Sequence, residues 1–316
     1  MVNQILILSF TEDAHAQEIC SRLNKKFGAN AHIWDTSGIP SKQTLTIDPE
    51  KHSYCLNGVH SEPIDFSKIT SCWWRRPVVA EIPDDVKETR VRRYCQNESD
   101  KLIRGAILAS NMPLINDPIN QSAADHKPYQ LRAAYEIGLK IPETLITNSP
   151  EEAKSFTESR KRKCIYKAFN SPSWKIVETR EFDKSMDEDL ESLKYAPVIF
   201  QEYVPLGRDI RVIAMKNRLY AAEAIARSSE AYLDWRLDHK IKWNRIILPV
   251  DIIDKINKLL NKLGLHYGSI DFRQTPEGEY VFLEINPSGQ FLFLEEKGRF
   301  EITDSFCELL LNHVVC

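Results

Sequence analysis

The chain has 316 residues, a length that fits two or three domains with a substantial core. Its formal net charge of −3 gives no overall attraction to nucleic acid or an anionic membrane, and 42% hydrophobic with 28% charged residues is typical of a globular protein. No apolar run approaches the roughly 18 residues of a membrane span, the N-terminus has no signal-peptide pattern, and the seven cysteines include no CxxC pair. We therefore expect a cytoplasmic protein without disulfides or a cysteine zinc site.

The first third of the chain predicts an open α/β domain. The apolar run over 4–10 predicts a buried strand, and a helix over about 11–27 and a strand at 31–34 follow it. There is no GxGxxG motif, so a dinucleotide site lacks its main support. The other elements predicted here are a hairpin over 47–64 that turns at Asn57-Gly58 and a helix over 84–110.

A short strand and an Asp-Pro turn at 113–118 predict a domain boundary. The predicted domains are an N-terminal domain over 1–112, a central domain over 113–198 and a C-terminal domain over 199–316. The later predicted elements are helices over 123–137, from 149 and over 251–263, and strands at 164–169, 197–205, 210–215 and 219–226.

The segments 268–273 and 280–289 predict a two-stranded hairpin that carries a metal site. Side chains two apart on a strand share a face, so Glu284 and Asn286 point the same way. A turn centred between Glu277 and Gly278 places Asp271 opposite Glu284 and gathers the apolar residues on the other face. Carboxylate and amide oxygens suit Mg²⁺, which also takes substrate phosphates. The alternative is an ordinary surface hairpin with solvated acids.

Six motifs follow one another between residues 113 and 296. They are Asp125-His126-Lys127 with the segment 138–144, Lys167 on a strand, Gln201–Val204, Gly207–Val212, Ala226-Arg227, and Glu284 with Asn286. Their order resembles the ATP-grasp superfamily. Within it, the segments 73–77, 234–236 and 284–290 resemble most the microviridin or graspetide ligases, macrocyclases that crosslink ribosomally made peptides.

This resemblance implies an α/β (α+β) ATP-grasp fold with an N-terminal open α/β domain, a central lid domain and a C-terminal antiparallel-sheet domain. It implies ATP and two Mg²⁺ ions as cofactors, the metal ligands being Asp271, Glu284 and Asn286. The implied partner is a precursor peptide with leader and core segments, and a homodimer is implied as well. Neither nucleic acid nor a membrane is expected as a partner.

The resemblance also assigns the ATP site. Lys127 and Lys167 would meet phosphates as point charges, although either could be a surface lysine. The adenine hinge would be Gln201, Glu202, Tyr203 and Val204, with the backbone of Glu202 and Val204 contacting the base. The alternative is a plain strand end before Pro205.

The resemblance also implies which polar residues of the remaining motifs contact the ribose, the transferring phosphoryl group and the substrate. Asp209 would accept hydrogen bonds from ribose, while Arg211 and Arg227 would contact the transferring phosphoryl group. Asp209 and Arg211 lie two apart on one strand, so a salt bridge between them is the alternative. The candidates for binding substrate carboxylates are Arg75, Arg76 and Arg236; Arg75 and Arg76 could equally form a domain-interface bridge.

Two departures from the superfamily pattern stand out. The lid segment 170–174 has no glycine, and Arg236-Leu237-Asp238 replaces the Arg-x-Asn of relatives that ligate free amino acids. The leading hypothesis is a macrocyclase that phosphorylates Asp or Glu side chains and forms esters with Thr or Ser, or amides with Lys. The rivals are a ligase that adds an amino acid to a protein C-terminus or small acid, and a nucleotide-binding protein without turnover.

Overall fold

The computed structural model describes residues 2–160, 163–169, 179–205, 207–216, 218–224 and 241–312. The chain divides into two compact units. The first unit comprises Met1–Ser122, Gly264–Gly268 and Pro287–Cys316, and the second comprises Ala123–Leu263 and Ser269–Asn286. No helix in the described ranges is long and apolar enough to cross a membrane.

The first unit contains a parallel four-stranded sheet of order β2-β1-β6-β7 and an antiparallel sheet of order β3-β4-β5. Its strands are β1 (Gln4–Leu8), β2 (Asn30–Trp34), β3 (Thr44–Asp48), β4 (Ser53–Asn57), β5 (Ile64–Asp65), β6 (Ser71–Trp74) and β7 (Leu114–Ile115). Its helices are α1 (Ala14–Lys25), α2 (Thr89–Ala109), α7 (Leu292–Gly298) and α8 (Ile302–Asn312). The central strand β1 is apolar and almost entirely buried, because parallel strands are covered on both faces. The open α/β prediction is confirmed.

The segment 47–64 contains two antiparallel connections where one hairpin was predicted. β4 and β5 pair antiparallel, Leu56 with Ile64, and the loop that joins them begins at Gly58, as the Asn57-Gly58 signal predicts. The sequence analysis missed the earlier hairpin, in which β3 and β4 pair from Thr44–Asn57 to Asp48–Ser53 and the turn lies at residues 49–52. The Asp48 side chain accepts a hydrogen bond from the Lys51 amide at 3.2 Å, which stabilises this turn.

The second unit contains a sheet of order β10-β9-β11-β8 and a five-stranded sheet of order β14-β13-β12-β15-β16. The strands are β8 (Thr144–Thr147), β9 (Cys164–Lys167), β10 (Arg180–Glu181), β11 (Val198–Glu202), β12 (Arg208–Met215), β13 (Arg218–Ala224), β14 (Trp243–Arg245), β15 (Tyr267–Gln274) and β16 (Tyr280–Asn286). The helices are α4 (Lys127–Glu136), α5 (Pro150–Ser159) and α6 (Val250–Leu263). In the first of these sheets β11 runs antiparallel to β8 and β9, and β10 antiparallel to β9. In the second, the pairs β12–β13, β13–β14 and β15–β16 are antiparallel, which agrees with the antiparallel C-terminal sheet that the resemblance implies.

The single helix predicted over 123–137 is divided into α3 (Pro118–Ala124) and α4. Pro128 explains the break, since proline lacks an amide hydrogen and its ring clashes with the carbonyl four residues earlier. Proline is well tolerated in the first turn of a helix, so α4 begins at Lys127 with Pro128 near its start. The break places Lys127 at a helix N-terminus.

The hairpin of β15 and β16 has the predicted register at its functional end. Asp271 lies opposite Glu284, and Ser269 lies opposite Asn286. The pairing then shifts, because Phe272 lies opposite Phe282 and leaves Leu283 as an extra residue in β16. At the same place the Phe282 amide donates to the Lys140 carbonyl at 2.8 Å. The predicted alternation of Val281, Leu283 and Ile285 on one face is therefore wrong, since a β-bulge interrupts it.

Candidate nucleotide and metal site

An acidic row lies on one face of the β15–β16 hairpin. Asp271 and Glu284 are a cross-strand pair, and Asn286 is two residues beyond Glu284 on the same strand. Opposed side chains on adjacent strands share a face and lie close together. The bulge at Leu283 lies outside this stretch, so the three predicted metal ligands remain on a common face.

Two cations neutralise the carboxylates of this row. Lys127 Nζ donates to Glu284 Oε2 at 2.5 Å, and Arg211 Nη1 donates to both carboxylate oxygens of Asp271 at 2.8 Å. The side chains of Arg211 and Asp271 are only 8% and 15% exposed, so water screens this pair weakly. Lys127, which was predicted to contact phosphate, and Arg211, which was predicted to contact the transferring phosphoryl group, therefore both lie beside predicted metal ligands.

Gln130 is a positioning residue that the sequence analysis missed. Its Oε1 accepts from the Ile285 amide at 2.8 Å, and its Nε2 donates to the Ala124 carbonyl at 2.9 Å. Gln130 is completely buried, and these bonds hold the start of α4 against β16 beside Glu284. Gln130 lies three and four residues before Ala133 and Ala134, which places an amide side chain on the apolar face of the helix, and this spacing is the sequence signal that could have identified it.

Glu284 is surrounded by positive charge. Burial alone would raise the pKa of its carboxyl, but the positive charges of Lys127, Lys167 and Arg211 together with the Lys127 hydrogen bond lower that pKa to about 2. Glu284 is therefore ionised at neutral pH. Lys167, the last residue of β9, belongs to the electrostatic surroundings of this carboxylate, as its proposed phosphate role requires.

Asp209 and Arg211 do not pair with each other as the alternative interpretation supposed. Arg273 Nε donates to Asp209 Oδ1 at 3.0 Å, while Arg211 contacts Asp271. The strands β12 and β15 are neighbours, so the two ion pairs run across the strands and alternate in sign along each. Asp209 is 4% exposed, and its ribose role stays a prediction.

The predicted adenine hinge is the end of β11 and the residues that follow it. The Gln201 side chain is buried and donates to Thr144 Oγ1 at 2.9 Å. The Glu202 amide donates to the Glu143 carbonyl at 2.9 Å, and the Tyr203 amide donates to the Lys163 carbonyl at 3.1 Å. Neighbouring strands thus fix the backbone up to Tyr203, and Val204 follows as a buried residue.

Arg75 and Arg76 lie in the first unit at the end of β6. The Arg75 side chain is 0% exposed and forms an ion pair with Asp13 at 3.1 Å. Both arginines donate to the carbonyl of Ser288, Arg76 from Nη2 at 3.2 Å. This placement favours contacts within the protein for Arg75 and not direct contact with a substrate carboxylate. Arg227, Arg236 and the lid segment 170–174 lie outside the described residues.

The donors in the acidic row fit magnesium. No cluster of three or more His, Cys, Asp or Glu side chains that could hold a metal occurs in the described part of the chain. The row instead offers two carboxylates and one amide, and Mg²⁺ typically takes one or two carboxylates while water and substrate phosphates complete its octahedron. The surrounding cations would meet those phosphates.

Residues 4–122 match the family model of the MvdD pre-ATP grasp domain. Macrocyclase MdnC from Microcystis aeruginosa MRC, solved with its precursor peptide MdnA, is 26% identical to the chain with a TM-score of 0.88, covering 98% of this chain and 99% of that one. The chain has the ATP-grasp fold. ATP-grasp ligases are ATP-dependent and ADP-forming, and the chain is an enzyme of this kind.

Two further ATP-grasp structures are similar over their whole length. A RiPP-associated ligase from Chryseobacterium gregarium, solved with ADP, a leader and a core peptide, is 26% identical with a TM-score of 0.87, covering 99% of this chain and 98% of that one. Macrocyclase MdnB from Microcystis aeruginosa MRC is 27% identical with a TM-score of 0.82, covering 98% and 99%. No curated protein sequence matches the chain. The resemblance to the microviridin and graspetide macrocyclases that the motifs predict is confirmed.

Proposed function

We propose that the chain is an ATP-dependent macrocyclase of a ribosomal precursor peptide. It transfers the γ-phosphoryl group of ATP to an Asp or Glu side chain of the peptide. A Thr or Ser hydroxyl, or a Lys amine, then attacks the acyl phosphate, phosphate leaves, and an ester or amide crosslink forms. The observation that supports this most is the acidic row of Asp271, Glu284 and Asn286 with cations around it, on a fold shared with the macrocyclases.

The protein's contribution to this chemistry is charge neutralisation and positioning, which dominate phosphoryl transfer. Magnesium, bound as two ions by Asp271, Glu284 and Asn286, would neutralise phosphate oxygens. Lys127 and Lys167 would contact the phosphates, and Arg211 with Arg227 would stabilise charge on the transferring group. No enzyme side chain needs to act as a covalent nucleophile.

Nucleotide recognition is assigned to the end of β11. Because the Glu202 amide already donates to Glu143, adenine would be contacted through the Glu202 carbonyl and the Val204 amide. Asp209 would approach the ribose, and Gln201 and Tyr203 would shape the hinge. Substitution of Val204 by proline removes the amide donor of this pair, and unchanged ADP affinity in that variant would contradict the assignment.

The proposed partner is a precursor peptide with a leader and a core, and the proposed assembly is a homodimer that works in the cytoplasm. MdnC was solved with such a precursor, and the Chryseobacterium ligase with a leader and a core peptide. Arg76 and Arg236 are the proposed contacts to substrate carboxylates. Light scattering of the purified chain tests the dimer, and a monomeric mass at micromolar concentration would contradict it.

The test of the reaction uses the full chain with ATP, Mg²⁺ and candidate peptides. The candidates are MdnA and the short proteins encoded beside the chain's own gene. Loss of one water mass for each crosslink, with one ADP released, is the expected result. A gain in mass would indicate the rival ligase that adds an amino acid, and nucleotide binding without any peptide-dependent ADP release would contradict both.

A further inference from the structure

We propose that Arg75 and Tyr267 are positioning residues that clamp the backbone immediately after Asn286 and so set the magnesium affinity of the site. The clamped segment is residues 287–292, and all of its clamping contacts lie within the first unit. The inference rests on the proposed function, because it concerns the backbone that carries a proposed metal ligand.

Side chains bind three consecutive carbonyls of the clamped segment. Asn116 Nδ2 donates to the Pro287 carbonyl at 3.1 Å. Arg75 Nη1 donates to the carbonyls of Ser288 and Gly289, the latter at 3.2 Å. The Tyr267 hydroxyl donates to the same Gly289 carbonyl at 2.6 Å.

The amides at the far end of the segment are bound as well. His15 Nε2 accepts from the amides of Phe291 and Leu292 at 2.9 and 3.1 Å. Burial and the nearby Arg75 charge lower the pKa of His15 to about 3, so its ring is neutral and can accept. The segment is therefore held from Pro287 to the start of α7.

Arg75 is itself fixed. Asp13 accepts from its Nε at 3.1 Å, and Asp13 in turn accepts from Ser9 Oγ at 2.7 Å. The guanidinium also lies 5.3 Å from the centre of the Trp73 ring. A buried charge with this many partners keeps one orientation, because any other would leave it unpaired.

The clamp has a consequence for Asn286, which is the last residue of β16 and is exposed. Strand pairing with β15 fixes the backbone before Asn286, and the clamped segment fixes the backbone that follows. Mg²⁺ demands near-ideal octahedral geometry, so a small shift of one ligand weakens binding. Groups that orient metal ligands indirectly change affinity strongly when they are removed.

Tyr267→Phe tests the clamp with the smallest change, since it removes one hydroxyl. ADP binding is measured by calorimetry at increasing Mg²⁺ concentration. We expect the Mg²⁺ concentration for half-maximal binding to rise about fivefold. The matched control is Tyr54→Phe, because the Tyr54 hydroxyl donates to the Ala109 carbonyl at 3.0 Å elsewhere in the first unit. The control should leave the magnesium dependence unchanged.

A second readout needs no ligand. Hydrogen exchange of the amides of Phe291 and Leu292 should be faster in Tyr267→Phe and in Arg75→Lys than in wild type or Tyr54→Phe. Arg75→Lys keeps the charge beside Asp13 but loses the planar guanidinium. Equal exchange in all four proteins, or faster exchange with unchanged magnesium dependence, overturns the proposal. If wild type binds no ADP with Mg²⁺, the proposed function fails, and the exchange comparison still decides whether the clamp exists.

Discussion

At the residue scale, the cluster of opposite charges around Glu284 has two consequences. The Glu284 side chain is 31% exposed and lies among the positive charges of Lys127, Lys167 and Arg211, which would repel one another without it. The same cations are suited to a triphosphate. The carboxylate therefore balances their charge in the ligand-free protein, and the cations are already in place for an anion.

We predict that Glu284→Gln destabilises the ligand-free protein at neutral pH and that this effect depends on pH. The folded-state pKa of Glu284 is about 2 and its ordinary value is 4.5, so the carboxylate contributes stability above 4.5 and loses it as pH falls toward 2. The difference in the free energy of unfolding between wild type and variant should therefore be constant above about pH 5.5 and narrow below pH 4.5. Urea unfolding at several pH values measures it.

Glu279→Gln is the matched control for that experiment. Glu279 precedes β16, is 55% exposed and pairs with Lys140, so its substitution should change stability little at any pH. An equal loss of stability in the two variants, or a difference for Glu284→Gln that stays constant down to pH 3, would contradict the charge arrangement described above.

Arg211 gives a second prediction at this scale. Arg211→Ala should lower kcat for ADP release about 100-fold or more, because it removes the donor that we propose stabilises charge on the transferring phosphoryl group. Arg208→Ala is the control, since Arg208 lies on the same strand and pairs with Glu223 away from the acidic row. Steady-state kinetics with ATP and peptide measure both. Arg211→Ala with the kcat of Arg208→Ala would exclude Arg211 from the reaction.

The residue types of the site could be predicted from the sequence, but their partners could not. Asp209 and Arg211 are two apart on one strand, and the sequence does not reveal that β15 is their neighbour and supplies Asp271 and Arg273. The partner of Arg75 could not be predicted either, because Asp13 lies 62 residues earlier in the chain. Ion pairs between distant segments depend on topology, which local patterns do not specify.

At the element scale, the β15–β16 hairpin was predictable where two constraints agreed. Burial of Ile270 and Ile285 and the facing of Asp271 with Glu284 require the same register, and the structure has it. The bulge at Leu283 was not predictable, because an apolar run of this kind does not show which residue is extra. At the bulge the Phe282 amide donates to the carbonyl of Lys140, a residue outside the hairpin that the local sequence pattern does not identify.

Gly207 joins the hinge region to β12 and passes very close to the hairpin turn. A Cβ atom there would lie 2.8 Å from the carbonyl oxygens of Gln274 and Thr275, and the Gly207 amide donates to Gln274 at 2.9 Å. Gly207→Ala should therefore lower the free energy of unfolding by about 1–3 kcal/mol. Urea unfolding followed by circular dichroism measures it.

Gly105→Ala serves as the control, because at Gly105 an added Cβ atom meets open space. Gly105 lies inside α2 with no atom within 4 Å of its added Cβ, so alanine should raise the free energy of unfolding by about 0.5–1 kcal/mol. If Gly207→Ala leaves the free energy of unfolding unchanged or raises it as Gly105→Ala does, the close approach at Gly207 is not a determinant of the fold.

At the scale of the whole molecule, the described residues proposed for nucleotide and metal all belong to the second unit. We predict that ADP with Mg²⁺ raises the melting temperature, since a ligand at 100 times its Kd stabilises the bound fold by about 2.7 kcal/mol. Amide exchange should slow most in β11, β12, β15 and β16. Calorimetric scanning and hydrogen exchange measure these effects. Stabilisation by ADP that is the same in EDTA would contradict a metal-dependent site.

The most direct measurement is the anomalous difference map of a crystal grown with ADP and Mn²⁺ in place of Mg²⁺. We predict at least one manganese peak within coordination distance of the Asp271 and Glu284 carboxylates and the Asn286 amide oxygen, with nucleotide phosphates completing the shell. A crystal with bound ADP but no peak at those three side chains, or with its only peak elsewhere, would contradict it.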